Sequence, residues 1–160
     1  MKSIFKLAIA ILLIIKSSNI YSQLNKNDLI GVWQFGSPEI TSSYLETYQF
    51  FNDGSFKFNT NQYDGLRRII SIGGNFELQN THLVLKIKYV VELEKGKITK
   101  DEMSTKNNSW IIEGGETKIK KLINSKNEII EIEKNYTSSS DYLLFDGQIF
   151  YRIYSNPNSW

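Results

Sequence analysis

Apolar and polar positions alternate with a period of two over most of this chain, which is the mark of half-buried β-strands. Leu83, Leu85, Ile87, Tyr89, Val91 and Leu93 are successive alternate positions and all apolar, while His82, Lys86, Lys88, Glu92 and Glu94 hold most of the opposite face. The pattern predicts one face on a core and one in water. The stretch before it repeats the pattern with Ile70, Ile72, Gly74, Phe76 and Leu78, and Asn80-Thr81 fits a two-residue loop between the two. That register sets Leu78 opposite Leu83, Phe76 opposite Leu85 and Ile72 opposite Tyr89, so both apolar rows share a face.

Turn chemistry predicts two further hairpins. Around Asn52-Asp53-Gly54, a two-residue turn would set Phe50 against Lys57. A three-residue loop with Gly54 left-handed instead pairs Phe50 with Phe56 and Tyr48 with Phe58, gathering four aromatics on one face. Asp146-Gly147 sets Leu144 against Ile149 and Tyr142 against Tyr151. A fourth turn is expected near Ser125-Lys126-Asn127, with no unique register, and Glu94-Lys95-Gly96-Lys97 through Asn108 reads as a polar connection.

Strands are expected at 32–36, 44–51, 55–60, 66–78, 82–93, 97–103, 109–123, 128–136, 141–146 and 148–154, eight to ten in all. Asn27-Asp28-Leu29-Ile30 supplies one helical turn ahead of the first. The expected fold is all-β, an antiparallel up-and-down meander closed into a barrel, because closure leaves no exposed edge. The pairs Gly73-Gly74 and Gly114-Gly115 fall inside long strands, where glycine marks a bulge or bend.

Met1 to Ser22 breaks the pattern. Lys2 and Lys6 precede an apolar run from Leu7 to Ile15, and a polar stretch follows, as in a secretory signal peptide. The run is well short of the roughly 20 residues that span a bilayer. The expected organisation is a signal peptide, 1–22, and one domain, 23–160, that is periplasmic or secreted with no membrane span after cleavage. The chain has no cysteine, which argues against a lipoprotein, a disulfide scaffold and thiolate metal sites. Losing Lys2, Lys6 and Lys16 turns the formal charge from +2 to −1, so no nucleic-acid partner is expected.

Leu29-Ile30-Gly31-Val32-Trp33 resembles the Gly-x-Trp signature of lipocalins and their calycin relatives, which follows a short helical turn and opens the first barrel strand. The closer likeness is to small lipocalin-like domains of exported bacterial proteins, which share a phenylalanine hairpin built like Phe50-Asn52-Asp53-Gly54-Ser55-Phe56. The resemblance implies a barrel closed at its base by Gly31, Trp33 and a last-strand arginine stacked on the tryptophan, the place held here by Arg152. A planar guanidinium suits that role, since it covers an indole face while reaching backbone carbonyls.

The aromatic row Tyr48, Phe50, Phe56 and Phe58, with Phe76 and Tyr89, is the candidate ligand-binding lining of the barrel. The same rings serve equally as a filled core, and an eight-stranded barrel has room for either. His82 is the single histidine and sits beside a turn, so no histidine metal cluster is expected. Glu92 with Glu94, and Glu131 with Glu133, read as outward strand surface. No Gly-x-Ser-x-Gly elbow or phosphate-cradling loop occurs, so no catalytic residue, metal or cofactor is expected. The leading expectation is an exported binder of a small apolar molecule inside the barrel. The alternative is a protein-interaction or inhibitor module with an envelope protein partner and a filled barrel, and an enzyme on a calycin-like barrel comes last.

Overall fold

The computed structural model describes residues 24–102, 109–136 and 141–160. The expected signal peptide, Met1 to Ser22, lies outside them. A single helical turn, α1 (Lys26–Leu29), leads into eight strands: β1 (Gly31–Phe35), β2 (Thr47–Phe50), β3 (Ser55–Asn59), β4 (Ile69–Gln79), β5 (His82–Lys100), β6 (Trp110–Tyr136), β7 (Asp141–Phe145) and β8 (Gln148–Tyr154). Each pairs antiparallel with the next, and β8 returns to β1, closing the barrel in chain order.

The short hairpins fold as their turn residues dictate. Phe50 faces Phe56 and Tyr48 faces Phe58 around Gly54, whose φ of 83° needs a residue without a Cβ. Leu78 faces Leu83 and Phe76 faces Leu85 across the Asn80-Thr81 loop. Leu144 faces Ile149 and Tyr142 faces Tyr151, yet the inward row of that hairpin is the other one, with Leu143, Phe145 and Phe150 in the core.

The long strands depart from the expected pattern in three places. Ser125-Lys126-Asn127 is no turn: Lys126 and Asn127 pair with Ile87 and Lys86 inside one continuous β6. Glu94-Lys95-Gly96-Lys97 is not a loop either, because β5 runs on through it opposite Glu113 to Glu116. Lys95 and Gly96 take positive φ of 58° and 74°, bending the strand without ending it. Ten expected strands thereby become eight. Third, irregularities at Gly73/Gly74 and at Ile87/Tyr89 shift the register, so Ile72 faces Val90 and Gly73 faces Tyr89. The alternating row of β5 changes face at that point.

The core is mainly aromatic at its centre. Trp33, Phe50, Phe56, Phe76, Phe145 and Phe150 are buried together, with Leu83, Leu85, Ile130 and Ile132 beside them. β4 leaves β5 at Ile69, so the far parts of β5 and β6 continue as a two-stranded ribbon. The loop before β4 braces that ribbon through Ile112 N–H to the Gly65 carbonyl, at 2.9 Å, and Arg68 Nη1 to the Lys95 carbonyl, at 2.9 Å.

Candidate functional site

The base of the barrel is built from α1, β1 and β8. Asn25 and Asp28 form a reciprocal capping box on α1, which fixes the turn that delivers Leu29. Trp33 Nε1 donates to the Leu29 carbonyl at 2.7 Å, and Arg152 Nη2 donates to the Asp28 carbonyl at 2.5 Å. The Arg152 guanidinium lies 4.4 Å from the Trp33 ring centroid. Gly31 has φ of 132°, and a Cβ there would stand 2.6 Å from the Tyr154 carbonyl oxygen, so a side chain would push the first and last strands apart. Burial works against a charged Asp28, yet hydrogen bonds from Lys134 and Asn25 and the charges of Lys134 and Arg152 outweigh it and lower its pKa. Gly31, Trp33 and Arg152 are thus brought together as a plug.

Of the six aromatics singled out as lining, five stand together. Tyr48 is the hub, with ring centroids 4.4 Å from Phe58, 5.6 Å from Phe50, 4.9 Å from Phe145 and 5.3 Å from Phe150. Phe50 in turn meets Phe76 edge-on at 4.9 Å. Phe50 and Phe56 are fully buried among their neighbours. The sixth, Tyr89, is not in this cluster: the irregularity at Lys88 carries it to the other face. There its ring lies across Gly73, in the space a side chain at that position would fill.

Among the described residues, two of the concave features at the surface bear on the candidate residues. At the end opposite the Trp33 plug is a cup of about 210 Å³, floored by Tyr48, Phe58, Phe145 and Phe150. Its rim carries Glu46, Glu128 and Asp146, and no cationic side chain lines it among the described residues. Burial first, then the charges of Glu128, Glu46 and Asp146, push the Tyr48 phenol well above its ordinary value, so it stays protonated. Phe145 and Phe150 were missed because the Asp146-Gly147 turn sets the register of its hairpin without saying which row faces inward.

The second feature is a groove of about 780 Å³ on the outer face. Lys57, Gly73, Tyr89 and Lys121 form one cross-strand row through β3 to β6, since each is the register partner of the next. Tyr89, Val91, Ile119 and Leu122 line the groove with apolar surface, and Lys57, Lys88 and Lys121 edge it. Ile119 is 68% exposed, and further along β6 Ile123 and Ile129 are also exposed. Ile119 was missed because it lies in the stretch where the β6 register was unknown.

The remaining candidates are surface. His82 stands exposed at the β4–β5 turn, 3.4 Å from the Thr81 hydroxyl. Glu92 and Glu94 pair with Lys118 and Lys120 across the β5–β6 ladder, with Lys118 2.7 Å and Lys120 2.9 Å from Glu94. These hydrogen bonds, from Lys118 first, draw the Glu94 pKa down to about 2. Among the described residues, no three His, Cys, Asp or Glu side chains converge on a metal-sized point. Among the described residues, no helix is long and apolar enough to cross a membrane. Comparison with family models, with curated proteins and with solved structures finds no match to this chain.

Proposed function

We propose that this protein is an exported interaction module with a filled barrel, working through the outer face of β5 and β6. The carrying observation is the lysine-edged apolar groove, whose Ile119 is largely exposed although the chain has a well-filled core in which to bury it. A contiguous exposed apolar patch with a polar rim is the usual signature of a docking surface. Lys57, Lys88 and Lys121 make no ion pair among the described residues, which suits a polypeptide partner carrying apolar side chains flanked by carboxylates.

The same packing disfavours the small-apolar-ligand reading. That reading calls for an open lumen of several hundred cubic ångströms. Here Tyr48, Phe50, Phe56 and Phe58 are packed in the core or against it. The Gly31, Trp33 and Arg152 plug supports kinship with lipocalin-like domains, and the Lys2-to-Ile15 pattern without cysteine supports export.

Size measurement in gently lysed cells of the native host tests the proposal. The wild-type protein is expected to sediment as a complex, and Ile119→Glu with Lys88→Glu to sediment as a free domain of about 18.5 kDa or slightly less. A wild-type protein that sediments free, or a complex untouched by both changes, overturns it.

A further inference from the structure

The barrel closes over only part of β6. β7 pairs with Ile132 to Tyr136 and no further, and Asp146 accepts the Glu131 N–H just beyond. At the other end the Gly65 carbonyl takes the Ile112 N–H. Between those contacts, the edge of β6 that faces away from β5 meets no strand among the described residues.

Ladder geometry says which groups stand on that edge. Leu93 donates to the Arg68 carbonyl at 2.7 Å, so the odd residues of β5 turn their backbone groups towards β4. Their partners across the antiparallel ladder then point N–H and C=O the opposite way, off the far side of β6. Those partners are Thr117, Ile119 and Lys121, opposite Leu93, Val91 and Tyr89. Ile119 and Lys121 also line the outer groove. The edge is framed at both ends. Gly114, with φ of 71°, bends the strand on one side, and on the other Leu122 to Ser125 bulge out opposite Lys88, since Tyr89 pairs with Lys121 and Ile87 with Lys126. The open stretch, Gly115 to Lys121, has the length of an ordinary strand.

Resting on the docking surface proposed above, we infer that the partner binds by strand addition: an extended polypeptide segment pairs with β6 from Gly115 to Lys121 and lays its outer side chains beside the groove. Unpaired backbone groups supply the affinity of such a contact, and alternate side chains supply its selectivity. The segment carries an apolar residue opposite Ile119 and a carboxylate opposite Lys121, which holds no ion pair among the described residues. A second copy of this chain suits the edge poorly, because antiparallel pairing of two copies about Ile119 sets Lys118 against Lys120.

Amide exchange followed by NMR on the purified protein tests this, with a peptide of alternating valine and glutamate as the probe. A valine–lysine peptide and a valine–glutamate peptide N-methylated at every residue are the controls. The probe is expected to bind and to slow exchange at Thr117, Ile119 and Lys121 about tenfold or more, with Lys118 and Lys120 slow throughout. Both controls are expected to bind about tenfold more weakly or worse. No binding of the probe, equal binding of either control, or no slowing at those three amides overturns the inference. Thr117→Pro removes one outward N–H, a change an edge strand tolerates, and is expected to release the partner in lysates of the native host. A complex that survives Thr117→Pro but not Ile119→Glu with Lys88→Glu overturns strand addition and leaves the docking surface standing. A wild-type protein that forms no complex there overturns both.

Discussion

Arg152 and Trp33 face each other where β8 closes onto β1, with the guanidinium 4.4 Å from the indole centroid. The same arginine reaches the Asp28 carbonyl, so one side chain ties the last strand to the first strand and to the helical turn below it. Closure of the barrel and closure of its base are therefore one interaction. Arg152→Ala is expected to lose both the stacking and the charged hydrogen bond, about 2–4 kcal/mol in urea unfolding. Arg152→Lys is expected to recover less than half of that, because an ammonium cannot cover the ring and reach the carbonyl together.

Adjacent glycines in β4 are expected to differ sharply. A Cβ at Gly74 would run into the Lys86 carbonyl, which is backbone and cannot move aside, so Gly74→Ala is expected to cost at least about 3 kcal/mol. A Cβ at Gly73 meets only the far end of Tyr89, so Gly73→Ala is expected to cost about 1 kcal/mol and to swing that ring off the groove. Thermal melts of the two variants, with the Tyr89 ring signals followed by NMR, check the order.

Acid sensitivity should come in part from the β5–β6 ladder. Glu94 ionises at about 2 when folded, below the ordinary value near 4.5, so its ion pairs stabilise the fold above about pH 4.5. That contribution is lost as pH falls from about 4.5 towards 2, since protonation then costs the folded state its pairs with Lys118 and Lys120. Glu94→Gln is expected to flatten the melting temperature between pH 5 and pH 2 relative to the parent protein.

Exposed isoleucines of β6 should be dispensable for folding. Ile119 is 68% exposed and Ile123 fully so, hence Ile119→Ser and Ile123→Ser are expected to change unfolding free energy by no more than about 0.5 kcal/mol. Leu85→Ala, at a fully buried site, is expected to cost about 2–5 kcal/mol. Chemical denaturation of the three variants separates side chains that serve the core from those that serve something outside it.

Where a turn carried its own chemistry, the sequence was sufficient. Gly54 and Asp146-Gly147 set their hairpins in register, and Trp33 and Arg152 could be placed on facing ends of a closed sheet before any contact was known. Long strands were less legible. Lys88 sits at a bulge that no glycine or proline announces, so Tyr89, in step with Leu85 by count, ends on the opposite face. Lys95-Gly96 looked like a loop because glycine and charge mark both a turn and a bend, and only pairing across to β6 distinguishes them. The cup escaped notice because Glu46, Glu128 and Asp146 are distant in sequence and meet only when the barrel closes.

A photoreactive residue placed at Ile119 tests the docking surface most directly, with the same residue at Ile149 on β8 as the control. Irradiation in cells of the native host is expected to give one discrete polypeptide adduct from position 119 and none from 149, and Lys88→Glu with Lys121→Glu is expected to abolish it. No adduct at 119, or the same adducts from both positions, would contradict an interaction module built on the outer face of β5 and β6.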